Sequence, residues 1–429
     1  MHNFRNTLEK LITFGIAVIL SGALWRLFST GTSQNIQGLE GDDRTQIVLA
    51  IVYAVVGVLC LIEFRQTWRS LFRNPSLIGL LVLACVSTAW ADSPDLVIRR
   101  ALGLVGASLF GVYLAIRFSF DEQLRLLRWA FRLMAAGTIA LLVISPSRAL
   151  SLPGGGGGIR GIFPHKNILG AGMALAFVVE WYVRDKDAKL KTLRLISLCV
   201  YGALLAISDS MSAMMTVAAT LVSVWVVRIL CGRHRIPIGA IAAFAILFVT
   251  AVTISGITTG DVLGLLGRSS DLTGRTELWS AVTEAVQEKP IIGYGFSGFW
   301  KGASPDSDIV EGQIQWTPAY SHNGYLEITL SLGLVGLFIA LFFLFVGFRR
   351  AWRLSHSSDF PMDSWSLAML MFVAIHNLTE CSIAWQNCLE WSVCIAAVIG
   401  ADPAQRATFE RCKEFDEGLP ETMPEMIEV

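Results

Sequence analysis

The chain has 429 residues, of which 54% are hydrophobic, and its mean hydropathy is +0.57. These values exceed what a water-soluble chain of this length carries, so they indicate an integral membrane protein. The 34 Lys and Arg residues balance 34 Asp and Glu residues, so net charge gives no indication of a nucleic-acid partner, and none is predicted.

Long apolar runs divide the chain into predicted membrane spans, because a helix needs about 20 residues to cross the hydrocarbon of a bilayer. The pattern predicts an all-α, polytopic membrane protein with about 12 transmembrane helices. Polar residues interrupt the third run and the last two, and the first run is predicted to be an uncleaved signal-anchor. The runs lie near residues 9–28, 46–64, 74–91, 99–116, 128–146, 167–183, 193–209, 211–230, 237–256, 324–347, 365–381 and 383–401.

Basic residues crowd every second connection between the predicted spans, and the positive-inside rule assigns those connections to the cytoplasm. The alternation predicts that both termini are cytoplasmic. The acidic segment 402–429 is then a solvated cytoplasmic tail. The basic connections lie near residues 65–73, 117–128, 184–194, 228–235 and 349–353.

One predicted connection on the outer side, residues 257–321, is much longer than the others. It separates helices 1–9, over residues 1–256, from helices 10–12, over residues 322–401. Loops of this length are usually functional or disordered. Residues 274–290, GRTELWSAVTEAVQEKP, place three apolar side chains on one helical face and end at Lys-Pro, so the loop is predicted to contain short helices.

Unusual polar residues gather at the outer ends of the predicted spans. Such groups are costly in a bilayer and mark functional sites, so their presence at one depth predicts a site on the outer face. They fall in RGIFPHKN (160–167), SDSMS (208–212), GRTELW (274–279), SHNGYLE (321–327) and HNLTE (376–380), and at the start of the fourth span. The candidate residues are Arg99, Arg100, Arg160, His165, Lys166, Asn167, Asp209, Arg275, His322, Asn323, Glu327, His376 and Glu380.

Members of this set also have structural interpretations. The two arginines of the fourth span suit a helix end anchored among lipid head groups, and Asn167 suits a helix N-cap. His376 and Glu380 suit a satisfied polar cluster at a helix end. The glycine run PGGGGG at 153–158 suits either a hinge before a membrane helix or a phosphate cradle.

The chemistry of the set suits group transfer from a lipid diphosphate to a hydroxyl. Arginine binds phosphate through paired, charge-assisted hydrogen bonds, so Arg160 and Arg275 are candidates for holding a diphosphate. A histidine, with a reference pKa of about 6.5, can take a proton from an attacking hydroxyl at neutral pH. The carboxylates lack metal-ligand spacing, so neither a metal nor a cofactor is predicted.

The motifs RGIFPHKNILG, SDSMSA, GRTELW…KPIIGYGFSGFW and SHNGYLEITLSLGLVGL occur in this order, with a long outer loop before the last. They resemble the bacterial O-antigen ligase and polysaccharide polymerase superfamily over roughly residues 85–400, and GYGFSGFW is most similar to the exopolysaccharide polymerase branch. The resemblance implies a metal-independent, multi-span glycosyltransferase of the bacterial inner membrane. It also implies an active site that faces the periplasm and a donor glycan linked to undecaprenyl diphosphate.

The resemblance further implies roles for individual residues. The superfamily's catalytic histidine stands at the start of the helix after the large loop, which here is His322. Its basic residues that bind the diphosphate match Arg160 and Arg275, with Lys166 as a helper. Next to His322, Asn323 and a glutamate one turn further on are expected to position the acceptor.

The predicted function is polymerisation of lipid-linked repeat units of an exopolysaccharide. The expected partners are the lipid-linked donor, a glycan acceptor, the bilayer and other polysaccharide assembly proteins. Ligases share these motifs, so transfer of a finished glycan to lipid A-core remains an alternative. A transporter would also have about 12 spans, but it predicts repeated halves and charged or broken helices near the bilayer midplane, which the sequence does not indicate.

Overall fold

The computed structural model of the chain is helical, and the residues that it describes form no named strand. A single isolated bridge pairs Leu150 with Ile159. The described residues are 2–25, 42–151, 157–233, 273–300, 303–314, 317–357 and 364–409.

The helices occur in three groups along the chain. The first is α1 (His2–Leu20), α2 (Asp43–Ile62), α3 (Phe64–Phe72), α4 (Pro75–Val86), α5 (Pro94–Arg117), α6 (Phe120–Ile144), α7 (Pro146–Ala149), α8 (Lys166–Tyr182), α9 (Ala188–Ile207) and α10 (Met211–Arg233). The second is α11 (Thr273–Glu288) and α12 (Pro305–Ile314). The third is α13 (Gly324–Ser357), α14 (Trp365–His376) and α15 (Leu389–Gly400).

Five of the described helices, α2, α5, α6, α9 and α13, are long and apolar enough to cross a bilayer. Helices α3 and α4 meet at an angle of 93° and would add a sixth if the bent pair is one span. The all-α, polytopic membrane fold is thus confirmed, whereas the count of 12 spans stays a prediction. The predicted ninth span, 237–256, lies outside the described residues.

Helices α14 and α15 are shorter than the two predicted spans in this region. Each has 12 residues, or about 18 Å of helix, which is less than the thickness of the hydrocarbon layer. A non-helical turn joins them because the Asn377 side chain replaces helical hydrogen bonds. Its Oδ1 accepts from the amides of Ser382 and Ile383 at 2.8 and 2.9 Å, and its Nδ2 donates to Val373 O at 2.7 Å.

Helix α15 packs closely against α5 and is buried on all sides. Trp391 Nε1 donates to Ser108 Oγ at 2.9 Å, and Ser392 Oγ donates to Ala107 O at 2.7 Å. A side chain at Gly111 would place its Cβ 2.4 Å from the carbonyl oxygen of residue 392, so glycine permits the close approach. This packing fixes the start of α15, which lies next to the turn described above.

Helix α13 is broken at Gly333, where φ is 66° and ψ is −169°. The amides of Leu334 and Val335 donate to the carbonyls of Pro290 and Ile291 at 2.8 and 3.2 Å. The carbonyls of the outer loop therefore accept hydrogen bonds from the backbone amides that the break leaves without helical partners. Lipid could not provide these hydrogen bonds. A Cβ at Gly333 would lie 2.1 Å from the Ile291 backbone. The sequence pattern predicted an unbroken helix here, because hydropathy does not report hydrogen bonding.

The described part of the outer loop has a small hydrophobic core of its own. Helix α11 forms over the residues where the apolar periodicity predicts it, and its Leu278 and Val282 are fully buried. They pack with Tyr294, Phe299 and Trp300, each at most 1% exposed. These three aromatic side chains therefore stabilise the loop and are not available to stack on sugar rings.

Candidate active site

Four side chains from three parts of the chain converge on the carboxylate of Glu380, which follows α14. Asn167 Nδ2, at the start of α8, and Arg275 Nη2, on α11, donate to its Oε1 at 2.9 and 3.0 Å. Tyr320 OH donates to Oε2 at 2.9 Å, and His322 Nδ1 lies 3.3 Å from the same oxygen. Three of the candidate motifs thus meet at a carboxylate that belongs to a fourth. We call Asn167, Arg275, Tyr320, His322 and Glu380 the Glu380 cluster.

The backbone beside the cluster joins the start of α13 to the turn after α14. The Gly324 amide donates to the carbonyls of both Asn377 and Glu380 at 2.9 Å. A Cβ at Gly324 would lie 1.9 Å from Asn377 Oδ1, so no larger residue fits. The glycine of the SHNGYLE motif therefore allows the histidine two residues before it to approach Glu380.

The Glu380 carboxylate is held in its ionised form. Burial alone would raise the pKa of Glu380, but the charge and hydrogen bond of His322, followed by the charge of Arg275, outweigh it and hold the pKa well below its ordinary value. The Tyr320 phenol behaves in the opposite way, because burial and then the nearby Glu380 charge raise its pKa. Tyr320 therefore stays protonated and donates its hydrogen to the carboxylate.

His322 has a strained backbone, with φ at 51°, a left-handed conformation that costs a non-glycine residue about 1–3 kcal/mol. Its ring lies against Tyr320, with the ring centroids 4.2 Å apart. Because Nδ1 faces the ionised carboxylate of Glu380, the neutral ring carries its hydrogen on Nδ1 and its lone pair on Nε2. This tautomer is the one that a general base requires.

Arg160 is a buried cation, 7% exposed, and no described residue pairs with its guanidinium, whose Nε has no hydrogen-bond partner. Burial lowers the pKa of Arg160, and no described carboxylate offsets that effect. The loop that carries it is fixed on both sides, since Arg160 N donates to Ala149 O at 2.9 Å and Ile159 N donates to Ile207 O at 3.1 Å. An uncompensated buried cation suits a negatively charged ligand.

His165 is close enough to Arg160 and to the Glu380 cluster for the charges of both to act on it. Burial, the largest influence, lowers the pKa of His165; Glu380 opposes that shift, and the positive charges of His322, Lys166 and Arg160 add to it. Its Nδ1 accepts the amide hydrogen of residue 167 at 3.2 Å, so His165 is the N-cap of α8. The sequence also suggested Asn167 as the N-cap, but in the structure its side chain binds Glu380.

Four of the remaining candidate residues come from α5, from the start of α8 and from the turn before α10. Lys166 Nζ lies 3.5 Å from Asp209 Oδ2. Arg100 is buried, and its Nη1 donates to the Ser297 carbonyl, whereas Arg99 is exposed. The structure thus leaves Arg99 outside the Glu380 cluster.

Asn323 and Glu327 bind groups of the chain itself. Asn323 Oδ1 accepts from the amides of the residues two and three positions later at 3.0 and 3.1 Å, so it caps α13. Glu327 is 4% exposed, and its carboxylate accepts from Trp300 Nε1 at 3.1 Å and from Ser321 N at 2.8 Å. Both residues therefore fix the segment that carries His322.

His376 lies at the end of α14 and faces a residue that the sequence did not single out. Its Nδ1 is 3.0 Å from Glu390 Oε2, and the histidine is 3% exposed. Sequence reasoning also missed Tyr320, although it directly precedes the SHNGYLE motif. Within the described ranges, no group of three or more His, Cys, Asp or Glu residues is arranged to hold a metal ion.

The family comparison finds an O-antigen ligase domain over residues 195–341. The chain is also similar to the exopolysaccharide production protein ExoQ of Rhizobium meliloti, with 25% identity over 350 residues, which is 76% of this chain and 77% of that protein. The matched domain includes Arg275 and His322, whereas Arg160 and Glu380 lie outside it.

Shorter similarities link the chain to two proteins named "putative polysaccharide ligase". One, from Rickettsia conorii, is 36% identical over 70 residues, which is 16% of this chain and 17% of that protein. The other, from Rickettsia felis, is 30% identical over 95 residues, or 21% of this chain and 23% of that protein. The resemblance to the O-antigen ligase and polysaccharide polymerase superfamily is thus confirmed.

Proposed function

We propose that this chain, which carries an O-antigen ligase domain, is a membrane glycosyltransferase that polymerises lipid-diphosphate-linked repeat units of an exopolysaccharide. The observation that carries the proposal is the Glu380 cluster, in which one ionised carboxylate orients His322 and Arg275, near the uncompensated Arg160. Similarity to ExoQ over most of both chains supports an exopolysaccharide product. Transfer of a finished glycan to lipid A-core is the second candidate, supported by the two relatives named as ligases.

In the proposed reaction, His322 Nε2 takes the proton of an acceptor sugar hydroxyl. The hydroxyl oxygen forms a bond to the anomeric carbon of the donor sugar, and the bond from that carbon to the diphosphate oxygen breaks. The lipid diphosphate leaves with its negative charge, and the His322 proton is later released to solvent. Glu380 holds the Nδ1 hydrogen of His322 and stabilises the imidazolium that forms.

The two arginines have different tasks in this proposal. Arg275 is already paired with Glu380 at 3.0 Å, so it brings little uncompensated positive charge to a ligand. Arg160 has no such partner, so a diphosphate would satisfy a buried cation that the free protein leaves uncompensated. Lys166, which faces the partly exposed Asp209, is placed to help. We therefore assign the leaving diphosphate chiefly to Arg160 and the orientation of the cluster to Arg275.

The proposal places the chain in the bacterial inner membrane, with both termini in the cytoplasm and the site facing the periplasm. The alternation of basic loops supports this orientation. The donor is proposed to be linked to undecaprenyl diphosphate, and metal ions are proposed to have no part in the transfer. A glycan acceptor and the proteins that assemble the polysaccharide are the expected partners.

Deleting the gene from the source bacterium distinguishes the two candidate functions. Loss of a polymerase should leave single lipid-linked repeat units, because no unit can be extended. Loss of a ligase should instead leave full-length chains on the lipid carrier. We expect single units, measured by mass spectrometry of extracted glycolipids, and full-length carrier-bound chains would contradict polymerisation.

Replacing Arg160 by Met should weaken binding of the lipid-diphosphate donor and leave the protein at least as thermally stable. Loss of charge-assisted hydrogen bonds should raise the KM for the donor about 10- to 100-fold. The melting temperature should not fall, because the change removes a buried cation without a described partner. Initial rates and thermal melting of the purified protein check both results, with the exposed Arg148→Met as the control. An unchanged KM for the donor would refute the role of Arg160.

A further inference from the structure

A partly open cavity of about 110 Å³ borders the Glu380 cluster and is also lined by residues of α1 and α8. Part of its wall is apolar and includes Leu20, Phe131 and Leu175, whereas Arg160, Arg275 and His322 do not line it. Another part of the wall is polar, and the proposed reaction uses only those polar side chains that belong to the Glu380 cluster. The polar lining residues include Asn167, Tyr320, His376, Glu380 and Glu390.

The buried His376 and the partly buried Glu390 form a pair with unused hydrogen-bonding capacity. His376 is 3% exposed, its Nδ1 lies 3.0 Å from Glu390 Oε2, and its Nε2 has no hydrogen-bond partner among the described residues. Buried polar atoms are rarely left without a partner, and an exception requires an explanation such as a ligand or water. Because both residues line the cavity, a ligand inside it can supply the missing partner.

We propose that the polar part of this cavity is a subsite for one glycosyl residue of the lipid-linked glycan, bound by His376 and Glu390. The proposal rests on the proposed function and names where that function places a sugar. A sugar hydroxyl can donate to Glu390 Oε2, and a hydroxyl can also donate to His376 Nε2 or accept its hydrogen when that nitrogen is protonated, so hydroxyls of one sugar can satisfy both residues. The pair then recognises hydroxyls and takes no part in the bond exchange.

The lining distinguishes a sugar from other occupants of the cavity. A polyprenyl chain offers no hydrogen-bonding group, so it would leave the His376 and Glu390 atoms unsatisfied. Water satisfies polar atoms but gains nothing from an aromatic wall. The cavity has such a wall in Trp25 and Trp385, which are 3% and 8% exposed. Apolar faces beside a few fixed polar groups are typical of small-molecule sites.

The test uses the purified full-length protein in lipid nanodiscs, with the lipid-linked repeat unit that accumulates in a strain lacking the gene. His376→Ala and Glu390→Gln should each raise KM by about 10- to 100-fold, the range expected for a lost hydrogen bond to a charged partner. The rate at saturation should change by less than about threefold, since the pair does not enter the bond exchange. Tyr201→Phe is the control, because it removes another buried polar atom on α9, away from the cavity.

A second measurement separates recognition of sugar from recognition of hydrocarbon. Hexyl β-glucoside should inhibit the wild-type protein competitively, and hexanol at the same concentration should not. His376→Ala should abolish this difference. A lower rate at saturation with an unchanged KM, or equal inhibition by hexanol and the glucoside, would overturn the subsite, as would kinetics of His376→Ala that match the wild type. If the wild-type protein transfers no glycan at all, the proposed function fails instead.

Discussion

Replacing Glu380 by Gln is expected to lower the glycosyl transfer rate by about 10- to 100-fold, in the range seen when a group that orients a reacting side chain is lost. Gln keeps the size of the side chain but removes the negative charge that four neighbours share. His322 then loses the group that fixes its tautomer, and Arg275 becomes a second uncompensated cation. Initial rates of the purified protein, divided by the folded fraction, measure the effect.

The matched control for Glu380→Gln is Glu180→Gln. Glu180 is also a buried carboxylate, and it pairs with Arg128 and Arg132 at 3.0 and 2.8 Å near the other end of α8. Its replacement should lower the melting temperature and leave the rate per folded molecule unchanged. Equal losses of rate in the two variants would show that Glu380 acts only through stability, which would contradict its role in orientation.

The pH dependence of stability gives a second measurement of the Glu380 interactions. Because its folded-state pKa is lowered, Glu380 stabilises the folded protein fully above its unfolded-state pKa of about 4.3. This contribution is lost as pH falls through the lowered pKa of the folded state. The difference in melting temperature between wild type and Glu380→Gln should therefore be largest near neutral pH and shrink below about pH 4.

Replacing His322 by Asn is expected to lower the transfer rate by about 100- to 10,000-fold, the usual contribution of a general base. Asn is preferred to Ala because it tolerates the left-handed backbone that His322 adopts, so the variant should fold. Single-turnover rates with the lipid-linked repeat unit measure the loss, and thermal melting checks the fold. A variant that retains more than about a tenth of the rate would contradict proton transfer by His322.

Much of the candidate site follows from local sequence pattern. His322, Arg275 and Asn167 each stand at the outer end of an apolar run or in the long loop, and their depth is visible from hydropathy alone. Hydropathy does not predict that they share Glu380 as a partner, because the Asn167 side chain binds a carboxylate 213 positions away in the sequence. Pattern reasoning therefore placed the residues on one face and did not identify Glu380 as the group that joins them.

The parts of the fold that sequence reasoning missed are those where side chains or loops replace helical hydrogen bonds. Asn377 ends α14 early by binding the amides of Ser382 and Ile383, and the loop carbonyls complete the break at Gly333. Neither replacement of helical hydrogen bonds changes the hydropathy of its segment. Glu390 was overlooked for a related reason, since it falls inside an apolar run that pattern alone assigns to lipid or core.

The break at Gly333 also limits where chimeras of this protein and its relatives can be joined. The carbonyls of Pro290 and Ile291 accept the hydrogen bonds of Leu334 and Val335. The outer loop and the first turns of α13 must therefore come from the same parent protein. A crossover between residues 291 and 334 would join a loop from one parent to a helix shaped for another. Chimeras that exchange specificity should therefore have their junctions before α11 and after Val335, where each parent's pairing remains intact.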